Sequence, residues 1–187
     1  MAIATVLAGG AGSRLGGAKA TAVLSGRALL DHVVEAVRAG DLEPVVVAKA
    51  STPLPPLDCR LLIEPDEPRH PLLGIVTALR ELGEPSVVVC ACDMPFVTGS
   101  LLAWLGALEE PLVVTAAGGE VQPLLGRYAA SLLARLEAAL AEGLSMRSLA
   151  DRLGARIVGA SELERFGDPL KLVSSINTPA ELAAAGG

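Results

Sequence analysis

Short, nearly continuous apolar runs alternate along this chain with longer segments whose apolar residues recur every three or four positions. The runs of strand length lie at residues 3–8, 44–48, 60–63, 86–91 and 112–116. Helical spacing covers residues 29–38, 72–82, 101–108, 129–141 and 146–153. Parallel strands covered on both faces are apolar throughout, whereas a helix on their surface is apolar on one side. We therefore expect a Rossmann-like three-layer α/β/α fold with a mostly parallel central sheet.

The chain has the size of one domain, with 187 residues of which 51% are hydrophobic. We expect a single domain over residues 1–187. Its last helix is marked by Thr178, Pro179 and Glu181, because threonine caps a helix, proline suits the first helical position and glutamate closes a capping box.

The composition disfavours nucleic acid and membrane partners. A net charge of −6 and only four aromatic residues give neither a basic face for phosphates nor a stacking surface for bases. We found neither a secretory leader nor an apolar run of the roughly 20 residues that span a bilayer. Cys59, Cys90 and Cys92 are too few for a disulfide framework. We expect a cytoplasmic protein that binds a small molecule.

A glycine-rich segment directly follows the first predicted strand and contains Gly9, Gly10, Gly12 and Gly16. Glycine lets the backbone approach a ligand closely, and the amides of such a turn can surround phosphate oxygens. Arg14 and Lys19 would offset the negative charge of a triphosphate. Leu15 stands where a dinucleotide fingerprint needs its third glycine, and no G-K-[ST] ending indicates a P-loop. The segment predicts a polyphosphate site; the alternative is a surface turn with two solvated basic residues.

Asp93 follows the fourth predicted strand, at the end where open parallel sheets bind their ligands. Mg²⁺ is typically held by one or two carboxylates together with phosphate oxygens and water, so one aspartate can suffice beside a polyphosphate. We expect Asp93 to bind Mg²⁺; the alternative is a turn before Pro95. Cys90 and Cys92 alternate on the buried strand, and we interpret them as core thiols rather than as metal ligands.

The glycine-rich segment resembles the nucleotide-binding signature of molybdenum cofactor guanylyltransferases, L-A-G-G-x-x-x-R-[LM]-G-x-x-K, over residues 7–19. That family belongs to the nucleotidyltransferase superfamily, which has a glycosyltransferase-A-like fold. The resemblance implies that guanine and ribose lie against four residues: Leu7, Ala8, Gly9 and Gly10. It also implies that Arg14 and Lys19 hold the phosphates. Ala18 departs from the pattern, because family members usually have aspartate before the lysine.

Two further segments resemble the same family. Asp93 begins a D-M-P-F sequence that is similar to the family's D-x-P motif, in which the aspartate binds Mg²⁺. Residues 63–74 resemble an acidic stretch followed by P-L-x-G, where an aspartate contacts the nucleotide base or ribose. Asp66 is the candidate for that contact, and Glu64 and Glu67 are its competitors. The alternative is a solvated acidic turn.

The acceptor side is less well marked. Residues 121–128 resemble a family stretch that begins with Gln-Pro or His-Pro and lines the acceptor pocket. Residues 175–182 resemble the family's N-x-N-T-P-x-E-L, with Asn177 at its second asparagine and Ser175 in place of the first. Ala48 replaces another asparagine of the family. These departures leave the identity of the acceptor open.

The resemblance implies Mg²⁺-dependent transfer of GMP from GTP to a molybdopterin-type phosphorylated acceptor, with release of pyrophosphate. Arg14, Lys19 and Asp93 would be the catalytic residues. An ionised phosphate nucleophile needs no general base, which agrees with the lack of a Ser-His-Asp set. The alternatives are a CTP-dependent molybdopterin cytidylyltransferase, a sugar-phosphate nucleotidyltransferase and a non-catalytic nucleotide-binding protein. The resemblance also implies transient contacts with other proteins of cofactor biosynthesis.

Overall fold

The structure is a computed structural model that describes residues 2–10 and 19–186. The described strands are β1 (Ile3–Leu7), β2 (Val23–Leu24), β3 (Arg27–Ala28), β4 (Glu43–Lys49), β5 (Arg60–Glu64), β6 (Ser86–Ala91), β7 (Leu112–Ala117), β8 (Glu120–Ala129) and β9 (Arg156–Val158). The described α-helices are α1 (Leu29–Ala39), α2 (Pro71–Leu82), α3 (Gly99–Gly106), α4 (Leu133–Ala141), α5 (Met146–Leu153), α6 (Ala160–Leu163), α7 (Pro169–Leu172) and α8 (Pro179–Ala185). None of these helices is long and apolar enough to cross a bilayer.

Seven of the described strands form one sheet in the order β5-β4-β1-β6-β8-β7-β9. The pairs β5-β4, β4-β1, β1-β6 and β7-β9 are parallel, and β8 runs antiparallel to both β6 and β7. The prediction of an α/β fold with a mostly parallel sheet is therefore confirmed. Within the described part of the chain, β8 is the one reversed strand of that sheet.

Both faces of the sheet are buried, because alternate residues of one strand enter different hydrophobic clusters. In β6, Val88 and Cys90 pack in the cluster that includes α1 and α3. Val87 and Val89 pack in the cluster that includes α2, α4 and α5. This two-sided burial explains why the strand sequences are apolar at consecutive positions.

The predicted elements agree with the structure at most of their bounds. The five apolar runs correspond to β1, β4, β5, β6 and β7, and residues 146–153 form α5 as expected. The last helix begins with the predicted capping box, in which the Thr178 side chain accepts from the Glu181 amide and the Glu181 side chain accepts from the Thr178 amide. The prediction of a helix over residues 129–141 was too long, because Ala129 ends β8 and a 3-10 turn over Ala130–Leu132 precedes α4.

The long strand β8 was not predicted, because it contains a bulge at a proline. Val114 of β7 faces Gly126, whereas the next residue, Thr115, faces Gln122, so residues 123–125 are extra on the β8 side. A Cβ atom at Gly126 would lie 2.1 Å from the Val113 carbonyl oxygen, so this position requires glycine. Bulges commonly redirect a side chain next to a functional site, and here Leu124 reaches the cavity described below.

Candidate active site

A cavity of about 730 Å³ lies at the carboxyl ends of the parallel strands β1, β4, β5 and β6. Open α/β sheets bind ligands at this edge, because the loops that leave the strands can surround a ligand there. The cavity is lined by residues from each of these strand ends and from the loops after them, including Leu7, Gly9, Gly10, Lys19, Lys49, Glu64, Asp66, Gly74, Cys92 and Asp93. Gly9, Gly10 and Lys19 therefore share one cavity with the Asp93 loop.

One end of the cavity, which we call the Lys19 end, is lined by Lys19 and Asp93, and Asn177 contacts Lys19 from behind this lining. The Lys19 ammonium donates to Asp93 Oδ2 at 2.7 Å and to Asn177 Oδ1 at 2.5 Å. The side chains of Lys19 and Asp93 are only 21% and 11% exposed, so little water screens their attraction. A cation held against this carboxylate shows that Asp93 is placed to receive positive charge.

Backbone hydrogen bonds hold the loop that carries Asp93 against two distant segments. The Cys92 amide donates to the Leu7 carbonyl at the end of β1, at 3.0 Å. The Ile176 amide donates to the Asp93 carbonyl at 2.8 Å, which joins the segment before α8 to the loop that carries Asp93. Asn177 is then oriented by its own side-chain amide, which donates to Ser175 Oγ at 2.8 Å. Three segments that lie far apart in sequence thus meet at the Lys19 end.

The cysteines beside Asp93 are core groups. Burial raises the pKa of the Cys92 thiol to about 12, with a further rise from the Asp93 charge, and burial also raises the pKa of Cys90 well above its ordinary value. Both thiols therefore keep their protons at neutral pH, whereas metal ligation requires the thiolate. Within residues 2–10 and 19–186, no group of three or more His, Cys, Asp or Glu side chains could hold a metal ion.

The donor set at the Lys19 end fits a magnesium ion that arrives with a polyphosphate. Asp93 supplies one nearly buried carboxylate that already faces a cation. Magnesium is usually bound by one or two carboxylates and takes its remaining ligands from water and substrate phosphates. A protein cage of several carboxylates is not found in the described residues. Asp93 is thus suited to a metal shared with a nucleotide and not to a resident structural ion.

The other end of the cavity, which we call the Glu64 end, is formed by Gly9, Lys49, Glu64 and Gly74. Lys49 and Glu64 are the last residues of neighbouring strands and lie directly opposite each other in the β4–β5 register. Lys49 Nζ lies 3.9 Å from Glu64 Oε1, and the two side chains are 15% and 8% exposed. The Lys49 ammonium also donates to the carbonyls of Pro65 and Asp66, at 2.9 and 2.5 Å.

The Glu64 carboxylate fits between two glycines. A Cβ atom at Gly9 would lie 1.9 Å from Glu64 Oε1. A Cβ atom at Gly74 would lie 2.9 Å from Glu64 Oε2 and equally close to Leu7 Cδ2. Alanine at either position would push the carboxylate aside, so the small size of these residues places Glu64. Burial raises the pKa of the Glu64 carboxyl group above its ordinary value, and the Lys49 charge opposes part of that rise.

The structure places most of the predicted site residues on the cavity. Leu7, Gly9, Gly10, Lys19, Asp66 and Asp93 line it. Ala8 is buried in the core beneath it, and its amide donates to the Val47 carbonyl at 2.8 Å. Arg14 lies outside the described residues. Of the predicted acceptor stretch, Leu124 lines the cavity, whereas Gln122 pairs with Thr115 in the sheet.

Two lining residues have roles that the sequence analysis did not assign. His70 accepts a hydrogen bond from the Leu72 amide through Nδ1, at 3.1 Å, and so caps the first turn of α2. Lys49 was not among the predicted site residues. Its only sequence signal was a lysine that ends an otherwise apolar strand, at the edge of the sheet where a ligand was expected.

The sequence of this chain is similar to a known protein family and to several of its members. A family model described as the MobA-like NTP transferase domain matches residues 4–158. The chain is 33% identical to a molybdenum cofactor guanylyltransferase from Cereibacter sphaeroides over 189 aligned positions, which cover 96% of this chain and 93% of that protein. It is 35% identical to a probable molybdenum cofactor guanylyltransferase from Mycobacterium marinum, over 96% of this chain and 90% of that protein.

A solved structure shows the same architecture. The crystal structure of molybdopterin-guanine dinucleotide biosynthesis protein A from Archaeoglobus fulgidus matches with a TM-score of 0.81 at 28% identity. The match covers 100% of this chain and 97% of that chain. It therefore includes the segment before α8, in which Asn177 contacts Lys19, and which lies beyond the residues that the family model matches.

Proposed function

This chain belongs to the family of MobA-like NTP transferase domains, and from that premise we propose that it transfers GMP from GTP to molybdopterin with release of pyrophosphate. The observation that carries the proposal is the shared cavity, in which Gly9, Gly10 and Lys19 meet Asp93. A triphosphate in that cavity would touch glycine backbone, an ammonium group and a carboxylate suited to Mg²⁺.

In this reaction the terminal phosphate of the acceptor attacks the α-phosphorus of GTP. A bond forms between that phosphorus and an acceptor oxygen, and the bond to the bridging oxygen of the β-phosphate breaks, so pyrophosphate leaves. The attacking phosphate is already ionised near neutral pH, so no side chain has to remove a proton. The task of the protein is to bring two anions together and align them.

We propose that Lys19 binds the triphosphate by donating to its phosphate oxygens in place of Asp93. Its ammonium has three donors, and in the described residues two of them are used by Asp93 and Asn177. A polyphosphate beside Asp93 offers stronger and more numerous acceptors, and the ammonium can donate to them in place of Asp93 while it still donates to Asn177. Arg14 would add a second cation from the glycine-rich segment, as the sequence analysis predicts.

Asp93 is the residue that would hold Mg²⁺. When bound, the metal would supply Lewis-acid stabilisation of the negative charge on the phosphate oxygens. The buried position of Asp93 strengthens its attraction for any cation, because the surrounding protein screens charge less than water does. Loss of this carboxylate would therefore remove metal binding and turnover together.

We further propose that residues 1–187 act as one domain in the cytoplasm, with GTP and a molybdopterin-type acceptor as small-molecule partners and no nucleic-acid partner. The contacts of Lys19 and Asp93 with the 176–177 segment support one domain, because they join the two ends of the described chain. Cys59, Cys90 and Cys92 are free thiols, which suits a reducing compartment. Transient contacts with other proteins of the same biosynthesis are part of this proposal.

The test is pyrophosphate release from GTP in the presence of Mg²⁺ and molybdopterin, with CTP and UTP in parallel. We expect release with GTP and none above background once the metal is chelated. Release with CTP instead would indicate a cytidylyltransferase. Release with a sugar 1-phosphate as acceptor would indicate a sugar-phosphate nucleotidyltransferase. Tight GTP binding without release for either acceptor would leave a nucleotide-binding protein and overturn the proposed activity.

A further inference from the structure

The ion pair at the Glu64 end has no part in the transfer chemistry, although it lines the same cavity. Lys49 and Glu64 are nearly buried, and their charged atoms are 3.9 Å apart. Removing two charges from water is costly, and a pair at this distance recovers less of that cost than one in direct contact. A buried pair that is neither close nor solvated is better suited to receiving a ligand than to stabilising the fold.

The hydrogen-bonding capacity of the pair is incompletely used. Among the described residues, no hydrogen bond reaches either oxygen of the Glu64 carboxylate, although the residue is only 7% exposed. Lys49 has three donors, and two of them are taken by the carbonyls of Pro65 and Asp66. Within the described residues, the Glu64 end therefore has two adjacent acceptors and one adjacent donor unused, on two residues that line the cavity.

From this pattern we infer that Glu64 and Lys49 recognise the Watson–Crick edge of guanine and thereby select GTP. The inference rests on the proposed function, because it assigns the base-binding part of the same cavity. Guanine presents two donors, N1–H and the N2 amino group, next to one acceptor, O6. A carboxylate accepts from the first two in parallel, and an ammonium beside it donates to the third.

Other bases present a different order of groups to this pair. Adenine has an acceptor at N1, which would face the carboxylate and be repelled. Cytosine has a single amino donor beside two acceptors, so one oxygen of Glu64 would lose its partner. Hypoxanthine keeps N1–H and O6 but lacks the N2 amino group. A site whose buried polar groups lose their partners with the wrong base discriminates strongly against that base.

The position of the carboxylate is defined by its surroundings. The Glu64 carboxylate fits beside Gly9 and Gly74 because neither residue has a side chain. A Cβ atom on either glycine would lie too close to the carboxylate oxygens. Lys49 fastens the loop after β5 through two carbonyls, and this fixes the backbone that follows Glu64. Asp66, in contrast, has an exposed side chain and contributes its carbonyl to the Lys49 contact. Glu64 is thus the acidic residue of the 64–67 stretch that is preorganised.

Nucleotide analogues provide the test, because each can be chosen to change a single group of the base. Binding of GTP and inosine triphosphate to the wild-type protein and to Glu64→Gln would be measured by calorimetry with Mg²⁺ present. We expect the wild type to bind GTP about 10- to 100-fold more tightly, the scale of one hydrogen bond to a charged group. In Glu64→Gln this preference should fall to within about threefold. A preference that survives unchanged in a folded Glu64→Gln protein overturns the inference.

A second analogue tests Lys49 independently. The triphosphate of 6-thioguanosine keeps N1–H and the N2 amino group but has sulfur, a weak acceptor, in place of O6, so it should bind the wild type about tenfold more weakly than GTP. In Lys49→Met the two nucleotides should bind alike, because the donor to O6 is gone. Equal affinities already in the wild type, for this analogue and for inosine triphosphate, contradict base recognition by the pair without use of any variant.

The controls separate this inference from the proposed function. If the wild type does not bind GTP at all, the proposed function fails. If it binds GTP and releases pyrophosphate but the variants keep their base preference, only the inference fails. Glu137→Gln is a matched charge change in the exposed Arg80–Glu137 ion pair and should keep the full preference. If Asp66→Asn, and not Glu64→Gln, removes the preference, Asp66 is the base contact and the inference is wrong.

Discussion

The two ends of the cavity each contain a lysine and a carboxylate, but they are built differently. At the Lys19 end the charged atoms of Lys19 and Asp93 touch, at 2.7 Å, and the partners lie 74 residues apart in sequence. At the Glu64 end the charged atoms of Lys49 and Glu64 stand 3.9 Å apart, and the partners are opposite each other on adjacent strands. The chain has only three lysines, and two of them are used here.

The difference indicates two kinds of task. A lysine in contact with a carboxylate neutralises it, and both groups can turn to new partners when phosphate and metal arrive. Lys49 is held by backbone carbonyls beside a carboxylate that accepts no hydrogen bond from the described residues, so it keeps its position and leaves room for a ligand between or beside the two groups. The Lys19 end is therefore suited to binding charged groups such as phosphate and metal. The Glu64 end is suited to recognising the pattern of donors and acceptors on a base.

The largest expected effect is at the Lys19 end, from Asp93→Asn. Because this carboxylate is the proposed metal ligand, we expect Mg²⁺-dependent pyrophosphate release to fall by at least about 100-fold, with an unchanged far-UV circular dichroism spectrum. Asp58→Asn is the matched control, since Asp58 is exposed and pairs with Arg38 on the surface. Turnover within a few-fold of wild type in Asp93→Asn would contradict the metal assignment.

Lys19→Ala distinguishes the two ends directly. We expect the affinity for GTP to fall about 10- to 100-fold, because a charged donor to the phosphates is lost, while the affinity for guanosine stays unchanged. Glu64→Gln should instead weaken the binding of both, since guanosine carries the same base. Calorimetric titrations of the two ligands measure this, and Lys171→Ala controls for the loss of a lysine elsewhere. Equal losses for both ligands in Lys19→Ala would remove the distinction between the ends.

Gly9→Ala tests how the Glu64 end is held. The added Cβ atom would lie 1.9 Å from Glu64 Oε1, so the carboxylate has to move. We expect GTP affinity to fall about tenfold, the scale of one hydrogen bond to a charged group, and the preference over inosine triphosphate to narrow. Gly159→Ala is a fitting control, because a Cβ atom there meets no atom within 4 Å and its φ of −86° suits alanine. An unaltered base preference in Gly9→Ala would show that Glu64 does not need this position.

The smallest expected effect is a pH-dependent change in stability. Burial raises the pKa of Glu64, so the folded state holds this proton more tightly than the unfolded state does. The resulting stability is complete below the ordinary pKa of about 4.5 and is lost as the pH rises through the folded pKa. Glu64→Gln stays neutral and avoids that loss, so its thermal midpoint should exceed that of the wild type at pH 7.5 by up to about 4 °C.

The difference in thermal midpoint between Glu64→Gln and the wild type should vanish near pH 4, where the wild-type carboxyl group is protonated in both the folded and the unfolded state. Melting curves at pH 4 and pH 7.5 measure it, with Glu137→Gln as the control on the surface. A midpoint for Glu64→Gln below that of the wild type at pH 7.5 would show that the Lys49–Glu64 pair stabilises the fold. In that case the two ends of the cavity would not differ in the way described.

The sequence predicted the parts of the fold that are encoded locally. The apolar runs of β1 and β4–β7 and the caps of α8 each depend on a few consecutive residues, and their bounds agree with the structure closely. The strand β8 could not be predicted in this way. Pro123 and Gly126 interrupt its apolar pattern, and its bulge is defined only by pairing with β7. The three-residue strand β9 is too short to show a period of its own.

The residues of the candidate site also differ in whether they could be predicted from local sequence. Lys19 and Asp93 could be predicted because each lies in a motif at the end of a strand, and the structure brings them together. The pairing of Lys49 with Glu64 depends on the register of two strands, which a single sequence does not supply. The sequence offered three acidic candidates near residue 66, and only burial and the neighbouring glycines distinguish Glu64 from Asp66 and Glu67. Arg14, outside the described residues, stays a prediction.

The contact between Lys19 and Asn177 also has a consequence for the order of events during folding. It closes a loop of 158 residues, whereas Lys49 and Glu64 meet as soon as two neighbouring strands pair. Contacts between such distant segments form late, because the intervening chain must lose conformational entropy before the contact can stabilise the fold. In a refolding experiment we therefore expect far-UV circular dichroism to recover before GTP affinity does. Simultaneous recovery would contradict this order, and a lag would make nucleotide binding a sign that the polypeptide has finished folding.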